Sequence, residues 1–542
     1  MGTTARFLMR LRVVVKGVVA WPEPVQNVIW MHWADVIAVT VCFAVFVGVG
    51  AWWSRKSAST EAYFVANRSF PGWVTGLSMM ASTISSITFI TYPGSAYAGN
   101  WSRLVPGLML PIGAVIAVCL LVPFYRSCNL VSAYEYLERR FGPWGRVFGC
   151  VTFAIASAAR MGVVLFLLCL PLQIMTGWSP VATILVAGSV VTLYTATGGI
   201  QGVMSVDVLR SVMLLAGGIL TIAVVVFRVP GGASEVFSVA QAAGKFDLTV
   251  SFDWSLARDT FLVLVINGVA LQLHGFATDQ TRIQRYCAAK SLHAARMAVW
   301  IGGLGCIPVW SLFMLVGTCL FVYYNAFPAH LPGTIENDKI LPYFILKELP
   351  PGLGGIVIAA LFSAAFAIAS NMNGSATVLT SDIYRRHLVP GRGDAHYVRF
   401  ARGASVVMGI LMITMALTLT AVNLSQQTVL DVWFVIEAVT AGGLGGLVYL
   451  GLLSTRANSK GAAIGVAMGV VIVLWLALGA VNALPARLCP PLHPFLIGAI
   501  GNVVALFGGY LASYLFPPIS GEKLAGLTWW TRRDKTGYDC GQ

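Results

Sequence analysis

Apolar runs of about 20 residues, broken by short polar stretches, recur from residue 35 to residue 517. A helix of that length crosses the roughly 30 Å of a bilayer's hydrocarbon. The pattern predicts spans at 35–54, 72–97, 104–125, 147–176, 178–197, 202–227, 259–281, 292–325, 353–381, 403–422, 428–453, 460–482 and 494–517. Only helices and closed barrels satisfy their backbone in lipid. Barrel strands would alternate apolar and polar residues, which these runs do not. The expected fold class is an all-α polytopic membrane protein of about 13 transmembrane helices.

Two spans are not uniformly apolar. The second, GLSMMASTISSITFITYPGSAYAGNW, carries Ser78, Ser82, Thr83, Ser85, Ser86, Thr88 and Thr91, then Pro93-Gly94. The seventh, VLVINGVALQLHGFATDQTRIQRY, carries Asn267-Gly268, Gln272, His274, Gly275 and Thr278. Both read as discontinuous helices. They hold equivalent places in two five-helix units of opposite orientation, spans two to six and seven to eleven. Interrupted helices in corresponding halves point to a transporter's central site. Hydroxyls bonded back to their own helix would account for either span alone; the symmetric pair favours the site.

The expected domain plan follows from these spans. Residues 1–34 form an N-terminal tail or reflect a start-site artefact, with Met31 just before the first span. Residues 35–54 are an extra first span, 72–228 the first repeat, 259–482 the second, 494–517 the last span and 518–542 a cytoplasmic tail.

Of the 542 residues 57% are hydrophobic and 10% charged, with mean hydropathy +0.79. The net charge of +14 would suit nucleic acid, but its placement argues otherwise. Arg and Lys crowd alternate loops, among them Arg139-Arg140, Arg282, Arg285, Arg385-Arg386 and Arg532-Arg533, and are sparse in the loops between. Such loops stay cytoplasmic, so the core is expected to start outside and the C-terminus to end inside. Arg6, Arg10, Arg12 and Lys16 in the tail do not fit that topology and receive no function. The expected partners are a small-molecule solute and the lipid bilayer, not nucleic acid; the oligomeric state is open. The 10 cysteines are scattered without ligand spacing and read as packing residues.

Two features carry chemistry. Arg160 lies inside the fourth span, between FAIASAA and MGVVLFLLCLPL. A charge at that depth faces a cavity or a partner, and its fork matches a carboxylate. The carboxylate is either a solute's or an intramembrane acid such as Glu437. The stretch LFSAAFAIASNMNGSATVLTSDIY, Leu361 to Tyr384, starts apolar and turns into small hydroxyls and amides.

Several motifs taken together resemble the sodium:solute symporter family. They are MMASTISSITFITYPGSAYAGNW, NLVSAYEYLERRFG, YTATGGIQGVMSVDVLR, TDQTRIQRYCAAKSL and NGSATVLTSDIYRR, in the family's order over residues 35 to about 517. ARMGVVLFLLCLPL and IPVWSLFMLVGTCLFVYY look most like the iodide, vitamin and sialic acid carriers. The resemblance implies the leucine-transporter-type five-plus-five inverted repeat and localisation to the cell membrane. It places Ser82, Ser85, Thr88, Gln272, His274 and Thr278 around the solute, with Arg160 matching an arginine that binds a substrate carboxylate in the sialic acid branch. It also implies a sodium site built from the carbonyls of Ala81, Ile84 and Ser363 and two hydroxyls on the ninth span.

Those hydroxyl positions hold Phe366 and Ala367, neither with an oxygen to offer. A second cation site in some members matches Asp207 and Ser370. Arg210 stands where the family commonly has Gln, either as a built-in positive charge or as an i,i+3 partner of Asp207. Asp279 is expected to pair with Arg282 or Arg285. Sodium coupling is therefore in doubt, and the carrier is uniporting, proton-coupled through Asp207 or Glu437, or weakly sodium-coupled.

The resulting expectation is a secondary active transporter for a small polar, anionic organic solute, with no cofactor other than a doubtful Na+. The alternatives are a sodium-independent or proton-coupled carrier of a neutral sugar or polyol, and a non-transporting solute sensor. The 25 residues after 517 are too few for the signalling domain a sensor usually carries. No HExxH, paired-carboxylate or Cys/His set points to an enzyme.

Overall fold

A computed structural model of the chain describes residues 32–54, 70–127, 132–197, 200–249, 251–331, 335–365, 367–420, 429–480 and 484–531. Among them there is helix but no strand, and they run in the order α1 Trp33–Ser54, α2 Gly72–Thr83, α3 Tyr92–Ala98, α4 Trp101–Ser127, α5 Ala133–Phe141, α6 Pro143–Thr176, α7 Pro180–Thr197 and α8 Ile200–Arg228. The second half begins after α9 Gly232–Ala242 with α10 Phe261–Thr278, α11 Gln280–Ala288, α12 Leu292–Ala326, α13 Ile340–Glu348, α14 Leu353–Ala365 and α15 Ala367–Val378. It closes with α16 Asp394–Leu419, α17 Val429–Thr440, α18 Leu444–Leu453, α19 Ser459–Ala480 and α20 Ile497–Ala512. Nine described helices are long and apolar enough to cross a membrane. Two sharply bent pairs raise that to eleven, and Trp33–Cys42 and Pro180–Leu193 are shorter apolar stretches.

The first bent pair is α2 with the π-helical turn Ile87–Thr91 and α3, at 59°. Its cause is local. Ser82 and Thr83 both donate to the Met79 carbonyl, at 2.8 and 3.1 Å, so hydroxyls compete for the backbone. Ile84 then leaves the helix at φ −86°, ψ 121°. The second pair, α17 and α18, bends by 48° at Gly442-Gly443, where Gly443 takes φ +83°, a conformation that favours glycine.

The seventh span departs from expectation. Asn267 and Gly268 lie inside an unbroken α10, and the helix breaks at Asp279 (φ −73°, ψ 107°). Gly268 serves packing instead: it admits Pro106 of α4 against the helix. Asp279 then caps α11, its Oδ1 accepting from the Thr281 N–H at 2.8 Å. The breaks at Ile84 and Asp279 face the same central region.

Close helix approach relies on small residues, as it must where lipid supplies no hydrophobic drive between helices. Gly461, Gly465 and Gly469 of α19 face Ser513 beyond α20 and Gly509, Ala505 and Gly501 within it. Gly72 and Gly76 seat α2 against Ala294 and Ile301 of α12. The helix α8 packs on α2, α14 and α1, which brings its polar residues to the first break.

Candidate solute and cation site

A cavity of about 1230 Å³, counted with its opening toward solvent, sits at the break of α2. Ser82, Ser85, Thr88, Arg160, Gln272, His274 and Thr278 all line it, so the structure gathers every solute-site residue expected from sequence. The rest of its wall includes the aromatic rings of Tyr92, Trp310, Trp433 and Phe434. Tyr92 and Trp310 stack with centroids 6.2 Å apart and planes 9° from parallel. Such a wall of rings with a few directed polar groups suits a small organic solute.

Arg160 is held by two carboxylates. Nη1 donates to Asp279 Oδ2 at 2.9 Å and Nη2 to Glu437 Oε1 at 2.6 Å, with Trp433 under the guanidinium at 5.4 Å. The intramembrane pairing with Glu437 is thus present, and Asp279 joins it. This corrects the expected Asp279 pairing: Arg285 pairs with Asp207 instead, at 2.9 Å. Arg282 also lines the cavity, reaching Gln272 Oε1 at only 3.5 Å and lying 4.9 Å from the Phe276 ring.

The remaining solute-site groups are positioned by their own helices. Thr278 donates to the His274 carbonyl at 2.8 Å and lies 3.1 Å from His274 Nε2. Ser85 Oγ accepts from the Ile87 N–H at 3.3 Å, and Thr88 is buried beside it. Asn371 was not singled out from sequence. Its Nδ2 donates to the Ala367 carbonyl at 3.1 Å, and its buried Oδ1 is left without a hydrogen-bond partner at the cavity wall. The amide-rich run after Ala367 was the signal for it.

Of the expected cation ligands, the Ala81 carbonyl, Asp207 and Ser370 are engaged by other groups. Arg210 makes the i,i+3 pair with Asp207 Oδ1 at 3.0 Å, and its Nη2 also donates to the Ala81 carbonyl. Asp207 Oδ2 accepts from Arg285 at 2.9 Å and Ser78 at 2.7 Å. Ser370 Oγ accepts from Arg285 at 2.9 Å. Ser363 turns its hydroxyl onto the Ala360 carbonyl at 2.6 Å. Ile84 is the buried residue at the break, Ala367 is buried at the cavity, and Phe366 lies outside the described residues.

The sequence pattern of the sodium:solute symporter family matches residues 63–469. The chain belongs to that family. It is 33% identical to a sodium/sialic acid symporter of Aliivibrio fischeri over 89% of this chain and 93% of that protein. A sodium/sialic acid symporter of Proteus mirabilis is 31% identical, covering 87% and 92%. The human sodium/iodide cotransporter is 29% identical, covering 80% and 68%. Among solved structures, a substrate-bound, outward-open Na+-coupled sialic acid symporter matches at TM-score 0.80 and 29% identity, over 90% of this chain and 99% of that one. A nucleobase-cation symporter, Mhp1, shares the fold at TM-score 0.55. The protein is a multi-pass membrane transporter of the symporter type with the leucine-transporter-type inverted repeat, not an enzyme.

Proposed function

We propose that this symporter moves a small organic anion through the cavity at the α2 break by alternating access. The observation that carries the reading is Arg160, a guanidinium at the cavity wall whose fork suits a carboxylate. Its two partners differ. The Asp279 side chain is 7% exposed and also caps α11, whereas Glu437 is 19% exposed and holds one nitrogen. A solute carboxylate takes the place of Glu437 on Nη2 while Asp279 keeps Nη1 in position. Ser82, Ser85, Thr88, Gln272, His274, Thr278 and Asn371 then meet the hydroxyls and amides of the solute. Sialic acids, the substrates named for the two bacterial relatives, carry both a carboxylate and hydroxyls.

A second reading rests on the same ion pairs. Arg160 and Arg282 balance Asp279 and Glu437 in formal charge, and Tyr92, Trp310 and Trp433 offer faces to a ring. A neutral sugar or polyol would leave those pairs intact. The topology proposed with either reading puts residue 35 outside and the C-terminus inside, within repeat bounds of 72–228 and 259–482.

Uptake of labelled sialic acid, monocarboxylate and neutral sugar into proteoliposomes separates the readings. The expected result is uptake of an anion that Arg160→Gln abolishes. Near-normal anion uptake by Arg160→Gln overturns the first reading, and uptake of the neutral sugar alone selects the second.

A further inference from the structure

The Ala81 carbonyl belongs to the last turn before the helix stops at Ile84. It accepts from Nη2 of Arg210, and the same nitrogen lies 3.0 Å from Asp207 Oδ1. Arg210 is fully buried. Its guanidinium therefore lies between a freed backbone carbonyl and a carboxylate. Freed carbonyls at a broken helix are the groups that hold sodium in transporters of this architecture.

The side chains at the other expected cation positions offer no free hydroxyl either. Ser363 points back into its own helix, Ala367 has no hydroxyl, and Ser370 is held by Arg285. A sodium ion placed here would compete with two buried guanidiniums for the same oxygens, at close range and low dielectric. The residues present do not fit the ion.

We propose that the Arg210 guanidinium is a tethered stand-in for the coupling cation: it ties the broken end of α2 to α8 as a bound ion would, and no ion is exchanged at this position during transport. A guanidinium stays charged at every working pH, so it neither leaves nor hands on a proton. The driving force for the solute then comes from the solute's own gradient or from an ion other than sodium. The inference rests on the carrier reading above, but its test uses no solute, so the two fail separately.

The test uses the purified full chain in detergent. Retention of radioactive sodium is measured against excess NaCl and excess KCl, and thermal unfolding is followed in each salt. Wild type is expected to retain no saturable sodium and to melt alike in both. Arg210→Gln is expected to melt below wild type, and Arg210→Lys, which keeps the charge, close to it. The double variant Arg210→Gln with Ala367→Ser, which removes the guanidinium and restores a hydroxyl, is expected to retain sodium. Saturable sodium retention by wild type overturns the proposal. So does an Arg210→Lys variant that melts as low as Arg210→Gln, because the role is then one of shape and not charge. A folded double variant that retains no sodium overturns it too. If the Gln variants fail to fold, the wild-type sodium measurement still decides.

Discussion

Glu437 lies 2.6 Å from Arg160, across a separation of 277 positions in the chain. On the proposed reading, the pair keeps the arginine charge-compensated until a solute carboxylate displaces Glu437. Removing Glu437 therefore has a direction. Glu437→Gln keeps the shape but weakens the competitor for Nη2. The Michaelis constant for an organic anion is expected to fall, by up to about tenfold, or ~1.4 kcal/mol. A neutral solute should show no such gain. A rise in the constant for the anion would show that Glu437 helps to bind it.

The motif SDIY supplies a second ion pair. Asp382 is fully buried, accepts from Ser132 Oγ at 2.8 Å and is held by Nε and Nη2 of Arg146, Nε at 2.7 Å. Breaking a buried pair by removing one charge costs about 3–5 kcal/mol. Asp382→Asn should lower the melting temperature of the purified protein strongly. Glu138→Gln should do less, because Glu138 is partly exposed and shares its charge with the exposed Arg386. Equal losses in the two variants would refute this ranking.

Gly268 tests the helix contact that replaced the expected break. A methyl added there would stand 2.6 Å from Pro106 Cα and 2.8 Å from the Pro106 carbonyl oxygen. Both are backbone atoms, so α10 must move away from α4. Overpacking of this kind costs about 1–3 kcal/mol. Gly268→Ala should reduce thermal stability and the yield of folded protein, whereas a position needed only for a flexible break would tolerate Ala.

Outside the spans, Asp338 is buried in the loop before α13, with Oδ2 accepting from the Val429 N–H at 2.8 Å. Burial pushes its carboxyl from 3.8 up to about 7; Asp431 and Glu336 add to the rise, and the Val429 N–H opposes it. In this window the folded chain holds a proton that the unfolded chain has lost. The stability this gives is full below pH 3.8 and disappears as pH climbs through about 7. Asp338→Asn should flatten the decline in melting temperature across that window and exceed wild type at about pH 8. Parallel curves for the two proteins would assign the decline to other groups.

Much of the cavity lining is legible in the sequence. Polarity confined to an apolar span is costly and therefore informative, so the hydroxyls of Ser82, Ser85 and Thr88 and the depth of Arg160 announced the cavity they line. The same logic read Asn267-Gly268 wrongly. A glycine that lets another backbone approach and one that ends a helix look alike in sequence, and only the position of Pro106 separates them.

The sequence by itself determined the membrane class, the family, the break in α2 and a set of polar residues that line the cavity, because each depends on local periodicity or on the chemistry of a residue in an apolar run. Only the tertiary structure decided the pairings. Asp279 had Arg282 and Arg285 as its expected partners and took Arg160 instead, 119 positions away. Asp207 took both Arg285 and Arg210, and Arg210 reached the Ala81 carbonyl, 129 positions distant. Such choices depend on the rotation and register of helices packed on one another, and periodicity within one helix carries no record of either.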